Sequence, residues 1–300
     1  MKKYLCLILS LILFLSSLIS YAVVKADAEL PVAFGNDYAI IRVFDKDGIN
    51  SHEISNIRFT AESLSEADEE DDGRLWCDAS SYFTQVSVSR PDRTAINCNA
   101  VVTEGDFFLF HDLDFKSGWY YNETDLHLDR VVIDEKLAFE LFGSNDVEDM
   151  KLNIGTKTLY VSGVVDYDES EAKIQQLGDL PVIYIPQRIA GEIFGERPFD
   201  SYEIMMQNPV DSYAANGLTS VTEGKEVVDV TARFELKKIF SLLKEFPTRS
   251  YRSEAVSYPY WENAERGVED ILTLLLAVNL VTLTGFVISL AVFIAERKKR

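Results

Sequence analysis

The sequence predicts an α+β extracytoplasmic domain held between two transmembrane helices. Three observations predict it: an uncharged apolar stretch near each end of the chain, strand patterns across the middle, and helical patterns between those strands. Residues 4–24 carry no charge over 21 positions, and residues 271–295 carry none over 25. About 20 apolar residues span the hydrocarbon core of a bilayer, so both stretches are long enough to cross it.

Basic residues flank both stretches on the side away from the middle of the chain, Lys2 and Lys3 at one end and residues 297–300 at the other. The positive-inside tendency therefore predicts a two-pass protein of the cell membrane with both termini cytoplasmic and the large domain outside. A cleavable signal peptide is the alternative for the first stretch, since Ser20 and Ala22 suit a cleavage site. The length of the apolar run favours an uncleaved anchor.

The domain boundaries follow from these ends. We expect an N-terminal transmembrane anchor over residues 1–25, an extracytoplasmic domain over 26–268, and a second transmembrane helix with a basic cytoplasmic tail over 269–300. Residues 25–270, between the two uncharged stretches, hold 48 of the 49 acidic residues but only 23 of the 29 Lys and Arg. So negative a domain excludes nucleic acid as a partner, because phosphate contacts need the opposite charge.

The acidic run at 66–72 predicts an exposed loop, with a calcium site as the alternative.

The first part of the outer domain has strand-like runs at 38–44 (YAIIRVF) and 57–61 (IRFTA). Cys77 and Cys98 flank a further strand-like run at 82–89 and a turn at 90–92. A strand, a turn and a second strand would bring the two cysteines together. An even pair in an oxidising compartment predicts a disulfide, and two unpaired buried thiols are the alternative.

The central stretch, 131–165, predicts a small packed unit. The β-branched triplet at 131–133 favours a strand. Residues 137–142 place their apolar side chains on one face of a helix, and Gly143 ends it. Alternation over 150–154 and 159–161 predicts two strands joined by a turn.

Four segments of this region resemble the outer domain of MacB-type ABC transporter permeases: VTEGDFFLFHDLDFKSGWY (102–120), VVIDEKLAFELFG (131–143), LYVSGVV (159–165) and VIYIP (182–186). The resemblance covers residues 101–186. It implies two lobes, a mixed α/β lobe of 33–116 and 187–246 that is split by a mostly β lobe of 118–186. The chain departs from the family at 147–149, where Val-Glu-Asp stands in place of a Val-Gly-Lys turn.

Further along, residues 202–207 and 227–230 have strand patterns, and 233–246 has a helical pattern that Pro247 ends. Near the middle of the second span, Asn279 is accompanied by three threonines. Because polar groups in lipid are costly without a partner, Asn279 predicts a helix–helix contact; a simple anchor is the alternative.

No catalytic, cofactor-binding or metal-ligating residue is predicted. The sequence has no phosphate loop, no G-x-S-x-G and no H-E-x-x-H, so this chain does not hydrolyse ATP by itself. His111, in a Phe-rich run beside Asp112 and Asp114, is interpreted as structural rather than as a metal ligand or base.

The leading hypothesis for function rests on the resemblance: a non-catalytic permease-type or accessory subunit of an ABC transport or mechanical-coupling system. It implies a separate ABC ATPase and a second membrane subunit as partners, with the outer domain binding a partner or substrate. MacB-type permeases have four spans and two are predicted here, so the chain is interpreted as half of a split permease, a fragment or an accessory protein. The alternative is a two-span surface binding or sensing protein without a transporter partner.

Overall fold

The computed structural model describes residues 2–28, 37–65, 74–91, 93–111, 113–122, 129–231, 233–244 and 258–298. They form two compact units. The outer unit comprises the described residues of 34–231 and 253–260, and the helical unit comprises those of 1–33, 232–252 and 261–300. The acidic run at 66–72, with its predicted loop and the calcium alternative, lies outside the described residues.

The helices are α1 (Lys2–Ala28), α2 (Ser51–Leu64), α3 (Phe107–Phe110), α4 (Glu135–Phe142), α5 (Glu171–Leu177), α6 (Gln187–Phe194), α7 (Tyr213–Leu218), α8 (Leu236–Leu242) and α9 (Tyr260–Arg297). The strands are β1 (Tyr38–Phe44), β2 (Cys77–Arg90), β3 (Arg93–Gly105), β4 (Phe115–Gly118), β5 (Arg130–Asp134), β6 (Lys151–Ile154), β7 (Lys157–Val165), β8 (Val182–Pro186), β9 (Ser201–Gln207) and β10 (Glu226–Asp229). This is the mixed α/β composition that the sequence predicts, with an apolar helix toward each end of the chain.

Helices α1 and α9 are both long and apolar enough to cross a membrane. At 1.5 Å per residue the 38 residues of α9 extend over about 57 Å, whereas the hydrocarbon core of a bilayer is about 30 Å thick. The uncharged residues 271–295 suffice to cross it. The charged first part of α9, residues 260–270, therefore continues the helix beyond the apolar span.

The strands of the outer unit form one sheet in the order β10-β1-β9-β2-β3-β8-β5-β7-β4. Strand β6 pairs with both β7 and β2, so β2, β3, β8, β5, β7 and β6 close into a ring of six strands. The pairs β3–β8 and β5–β7 are parallel and the other pairs in the ring are antiparallel. A closed ring leaves few exposed strand edges in this part of the sheet.

The long hairpin of β2 and β3 connects the two predicted lobes. The start of β2 pairs with β9, and its end pairs with β6. Residues of β1, β2, β7 and β8, among them Ile41, Val88, Val161 and Ile183, are buried in one apolar core. The sheet and its core are therefore continuous across the region in which the two lobes are predicted.

The strand predicted at 57–61 is wrong, because these residues lie inside α2. Asn50 and Glu53 form a capping box: the Asn50 side chain accepts from the Glu53 amide, and the Glu53 side chain accepts from the Asn50 amide. The buried Ile54, Ile57 and Ala61 recur at helical spacing. A capped amphipathic helix outweighs the β preference of a short run.

The central unit has the predicted strands and helix. Asp134 caps α4 by accepting from the amide of Leu137, and Gly143 ends the helix with φ 80°. At the turn that departs from the family, Asp149 adopts φ 61°. Aspartate tolerates this left-handed backbone better than most side chains, so the turn forms without glycine.

Candidate functional site

A polar contact joins the two apolar helices of the helical unit. Ser17 Oγ lies 2.6 Å from Asn279 Oδ1 and 3.2 Å from Thr282 Oγ1. Ser17 and Asn279 are only 8% and 7% exposed. Phe14 and Phe286 stack nearby along the same pair of helices, with ring centroids 6.5 Å apart. Asn279 therefore makes a helix–helix contact, and the helix that it contacts is the first span of the same chain.

A cluster of carboxylates surrounds Arg233, just before α8. The guanidinium contacts Glu262 at 2.5 Å, Glu269 at 2.9 Å, and Glu265. Arg233 is 2% exposed and Glu262 is fully buried. All three glutamates lie on α9, in the part that continues beyond the uncharged span.

Apolar packing reinforces this attachment. Phe234 and Ile239, which accompany Arg233 in the segment 233–244, pack with Leu272 and Leu276 of α9. Arg266 adds a second cation within α9, 2.7 Å from Glu262. The segment that follows the outer unit is therefore fixed to α9 by both ionic and apolar contacts.

A cavity of about 290 Å³ lies in the outer unit. Four aspartates, one lysine and two tyrosines are among the residues that line it: Asp114, Asp134, Asp166, Asp168, Lys173, Tyr184 and Tyr260. Asp134 and Asp166 stand at the ends of the paired strands β5 and β7. Among the described residues, no group of three or more His, Cys, Asp or Glu side chains is arranged to hold a metal ion.

Asp134 joins two elements at the wall of this cavity. One of its oxygens accepts from the amide of Leu137 in α4 at 2.8 Å, and the other accepts from the amide of Val182 in β8 at 2.7 Å. Burial raises the pKa of Asp134 to about 6, although both amides favour the ionised form. Asp134 therefore has a structural role, because its carboxylate holds the start of α4 beside the start of β8.

A second buried ion cluster lies within the sheet of the outer unit. Glu203 of β9 is directly opposite Arg42 of β1, and their side chains approach to 2.5 Å. The other Glu203 oxygen lies 2.6 Å from His111 Nε2. His111 is therefore a hydrogen-bonding partner of Glu203 inside the fold, in agreement with the structural role that its Phe-rich surroundings indicate.

The predicted disulfide between Cys77 and Cys98 is wrong: both thiols are free. Arg90 pairs with Arg93 at the turn of the β2–β3 hairpin, and Cys98 lies opposite Val86. Cys77 precedes Val86 by nine positions, which is about 30 Å along a strand. A disulfide needs Cα atoms within about 7 Å, so the unequal arms of the hairpin hold the cysteines too far apart. Burial raises the pKa of each thiol to about 12.

Other residues of these sites were not predicted from the sequence. Arg233 was assigned only to a helical pattern, although acidic side chains recur in α9 at positions 262, 265 and 269, a spacing that places them on one helix face. That spacing is the signal that could have indicated a buried cation. The cavity had no comparable signal, because its four aspartates come from three separate segments of the chain.

Comparison with known proteins identifies the family. The sequence matches the model of the MacB-like periplasmic core domain over residues 7–233. No curated protein matches it.

Two solved structures are similar to the chain. The extracellular domain of the noncanonic ABC-type transporter YknZ from Gram-positive bacteria is 14% identical, with a TM-score of 0.44, 63% of this chain covered and 99% of that chain. The periplasmic region of MacB from Actinobacillus actinomycetemcomitans is 13% identical, with a TM-score of 0.47, 74% of this chain covered and 100% of that one. The family model spans most of the sequence, α1 and α9 can each cross a membrane, and such a domain lies outside it. The chain is thus a membrane protein with an outside domain, and it belongs to the MacB-like periplasmic core domain family of ABC-type transporter permeases.

Proposed function

We propose that this chain is a non-catalytic permease-type or accessory subunit of an ABC transport or mechanical-coupling system. The Arg233 cluster is the observation that carries the coupling role. Arg233 comes four residues after the end of β10, and its guanidinium is bound by carboxylates of α9. Because these contacts are buried, where charge pairs are stronger than in water, a displacement of α9 would pull the segment 233–244 with it.

The proposal includes a topology and two partners. Residues 1–25 and 269–300 would anchor the chain with both termini cytoplasmic, and residues 26–268 would lie outside. A separate ABC ATPase would drive the conformational change from the cytoplasm, and a second membrane subunit would transmit it through the bilayer. The outer domain would bind a partner or substrate.

The experiment is purification from native membranes in a mild detergent through a tag after Arg300. A photo-crosslinking residue at Val281, which is 72% exposed on α9, should capture a second membrane chain. The same photo-crosslinking amino acid placed at Thr273, which is 1% exposed, is the matched control and should capture no second chain. Mass spectrometry should also find a polypeptide with a nucleotide-binding loop. If the chain purifies alone and Val281 captures nothing, the proposal is contradicted.

A reporter tests the topology separately. Placed after Arg300 it should be cytoplasmic, and inserted at Glu69 it should be outside. A cytoplasmic reporter at Glu69 would contradict the proposed orientation.

A second candidate function is a two-span surface binding or sensing protein without a transporter partner. The Ser17–Asn279 contact favours it, because Asn279 obtains a hydrogen-bonding partner inside its own chain and needs none from another subunit. Isolation of the intact chain without an ATPase or a second membrane subunit would support this candidate.

A further inference from the structure

The cavity of the outer unit has more carboxylates than cations. Asp114 makes no ion pair within the part of the chain that the structure describes, and Asp166 pairs with Lys116 at 2.6 Å on the exposed side. Asp168 accepts from the amide of Ser170 at 2.8 Å. Asp134 is 2% exposed and is bound only by main-chain amides among the described residues.

The one lysine that lines the cavity makes no ion pair with these four aspartates within the described residues, although its charge favours the ionised form of Asp134. Lys173 is 1% exposed, and its Nζ donates to the main-chain oxygen of Asp168 at 2.9 Å. The same Nζ lies 3.5 Å from the centre of the Tyr167 ring. No carboxylate of the described residues is within ion-pair distance of it. The cavity therefore keeps a negative wall beside a lysine that is held by a carbonyl and a ring.

Aromatic rings continue from the cavity to the surface. Tyr184 lines the cavity, and its ring centroid lies 6.0 Å from that of Phe108. Phe108 in turn stacks on Tyr120, with ring centroids 5.4 Å apart. Trp119 lies 5.0 Å from Tyr120 and is 63% exposed. Aromatic faces attract cations as well as apolar groups.

We propose that this cavity binds an organic cation, an ammonium or guanidinium group attached to an apolar or aromatic body. The carboxylates would receive the charged group, and the two aromatic rings that line the cavity, Tyr184 and Tyr260, would contact the body. The volume lies at the lower end of the roughly 300–1,000 Å³ of small-molecule pockets, so a small ligand fits it. This proposal extends the proposed function, because it names the class of ligand that the outer domain binds. The binding site is argued from the cavity itself, and only its biological role rests on the proposed function.

The test is calorimetric titration of the full chain, purified in a nonionic detergent, with tryptamine. Indole-3-propionate is the matched probe, since it has the same ring and the opposite charge. Tryptamine should bind, and indole-3-propionate should bind at least tenfold more weakly. Equal or tighter binding of indole-3-propionate would overturn the proposal, because Lys173 would then define an anion site. Absence of heat from tryptamine up to about 10 mM would overturn it as well.

Variants locate the site. Asp114→Asn, at an exposed position, should weaken tryptamine binding about fivefold, which corresponds to about 1 kcal/mol. Lys173→Met should tighten binding, because it removes a like charge. Glu223→Gln removes an exposed carboxylate elsewhere in the outer unit and should change nothing. Equal affinities for the wild type and Asp114→Asn would overturn the assignment even if Lys173→Met fails to fold.

The same cationic group can come from a free amine or from a side chain of a partner polypeptide. The capped dipeptide acetyl-Lys-Trp-amide separates them. At least tenfold tighter binding than tryptamine assigns the site to a polypeptide, and weaker or equal binding assigns it to a free amine. The titration needs neither an ATPase nor a second subunit, so its failure is distinct from a failure of the proposed function.

Discussion

The two buried ion clusters, one in each unit, balance their charges in opposite ways. In the outer unit one carboxylate, Glu203, is contacted by Arg42 and His111. In the helical unit one guanidinium, Arg233, is contacted by three carboxylates. The first cluster depends on its single acid, whereas the second has three acids for two cations, Arg233 and Arg266. The helical cluster can therefore release its most exposed acid, Glu265, at lower cost than the outer cluster can release Glu203.

The largest expected effect is that of Arg233→Met, which leaves Glu262 and Glu269 buried without that cation. Loss of one partner from a buried ion pair costs about 3–5 kcal/mol. Hydrogen exchange of the amides at 262–270 should accelerate accordingly, because it reports the local opening free energy. Arg233→Lys is the matched control and should recover part of the protection. Unchanged exchange in Arg233→Met would show that the apolar contacts suffice.

The next effect is the pH dependence of the outer cluster. Burial alone would raise the pKa of Glu203, but the charges of His111 and Arg42 lower it from 4.5 to about 2. The stability that ionised Glu203 contributes is therefore complete above pH 4.5 and is lost as the pH falls toward 2. At 1.36 kcal/mol per unit the loss is at most about 3 kcal/mol.

Denaturant unfolding of the wild type and of Glu203→Gln between pH 6 and 2 measures this loss. Other carboxylates titrate in both proteins, so the difference between the two curves isolates position 203. The free energies of unfolding should converge as the pH falls. Curves that stay parallel would contradict the low pKa of Glu203.

A smaller effect is expected for Asn279→Leu, which removes the contact with Ser17. Hydrogen bonds between membrane helices contribute about 0.6–2 kcal/mol. Crosslinking between cysteines at positions 14 and 286, where the rings now stack, should become less efficient. Thr284→Leu is the control, because among the described residues Thr284 Oγ1 donates only to the carbonyl of Leu280 in its own helix. Equal loss in both variants would mean that general apolar packing holds the helices together.

The smallest effect is expected for Glu265→Gln. Glu265 is the most exposed of the three carboxylates, with a side chain 20% exposed, and the other two remain on Arg233. Partly exposed pairs contribute about 0.2–1 kcal/mol, so hydrogen exchange at 262–270 should change little. An effect as large as that of Arg233→Met would show that the helical cluster has no spare acid.

Local sequence patterns predict those parts of the fold whose hydrogen bonds and apolar faces are formed by residues close together in the sequence. Strand β1 and helix α4 have the predicted positions, because alternation and a capped apolar face are complete within a few residues. The strand predicted over 57–61 failed because its helical cap, Asn50, lies well before the β-branched run.

Contacts across large sequence distances could not be predicted in this way. The error over Cys77 and Cys98 came from the length of the hairpin arms, which depends on pairing partners and not on the turn alone. The cavity likewise combines residues from 113 to 260, which only the sheet topology brings together. Asn279 was predicted to contact a helix, but nothing in its own segment indicates that Ser17 is the partner.

The uninterrupted length of α9 has a geometric consequence. A rod about 57 Å long that pivots at one end by 10° carries its other end through about 10 Å, roughly the thickness of a helix. Gly267 and Gly285 lie within this helix without interrupting it, and the described helix contains no proline. A small angular change at one end of α9 would thus move its other end by about the thickness of a helix.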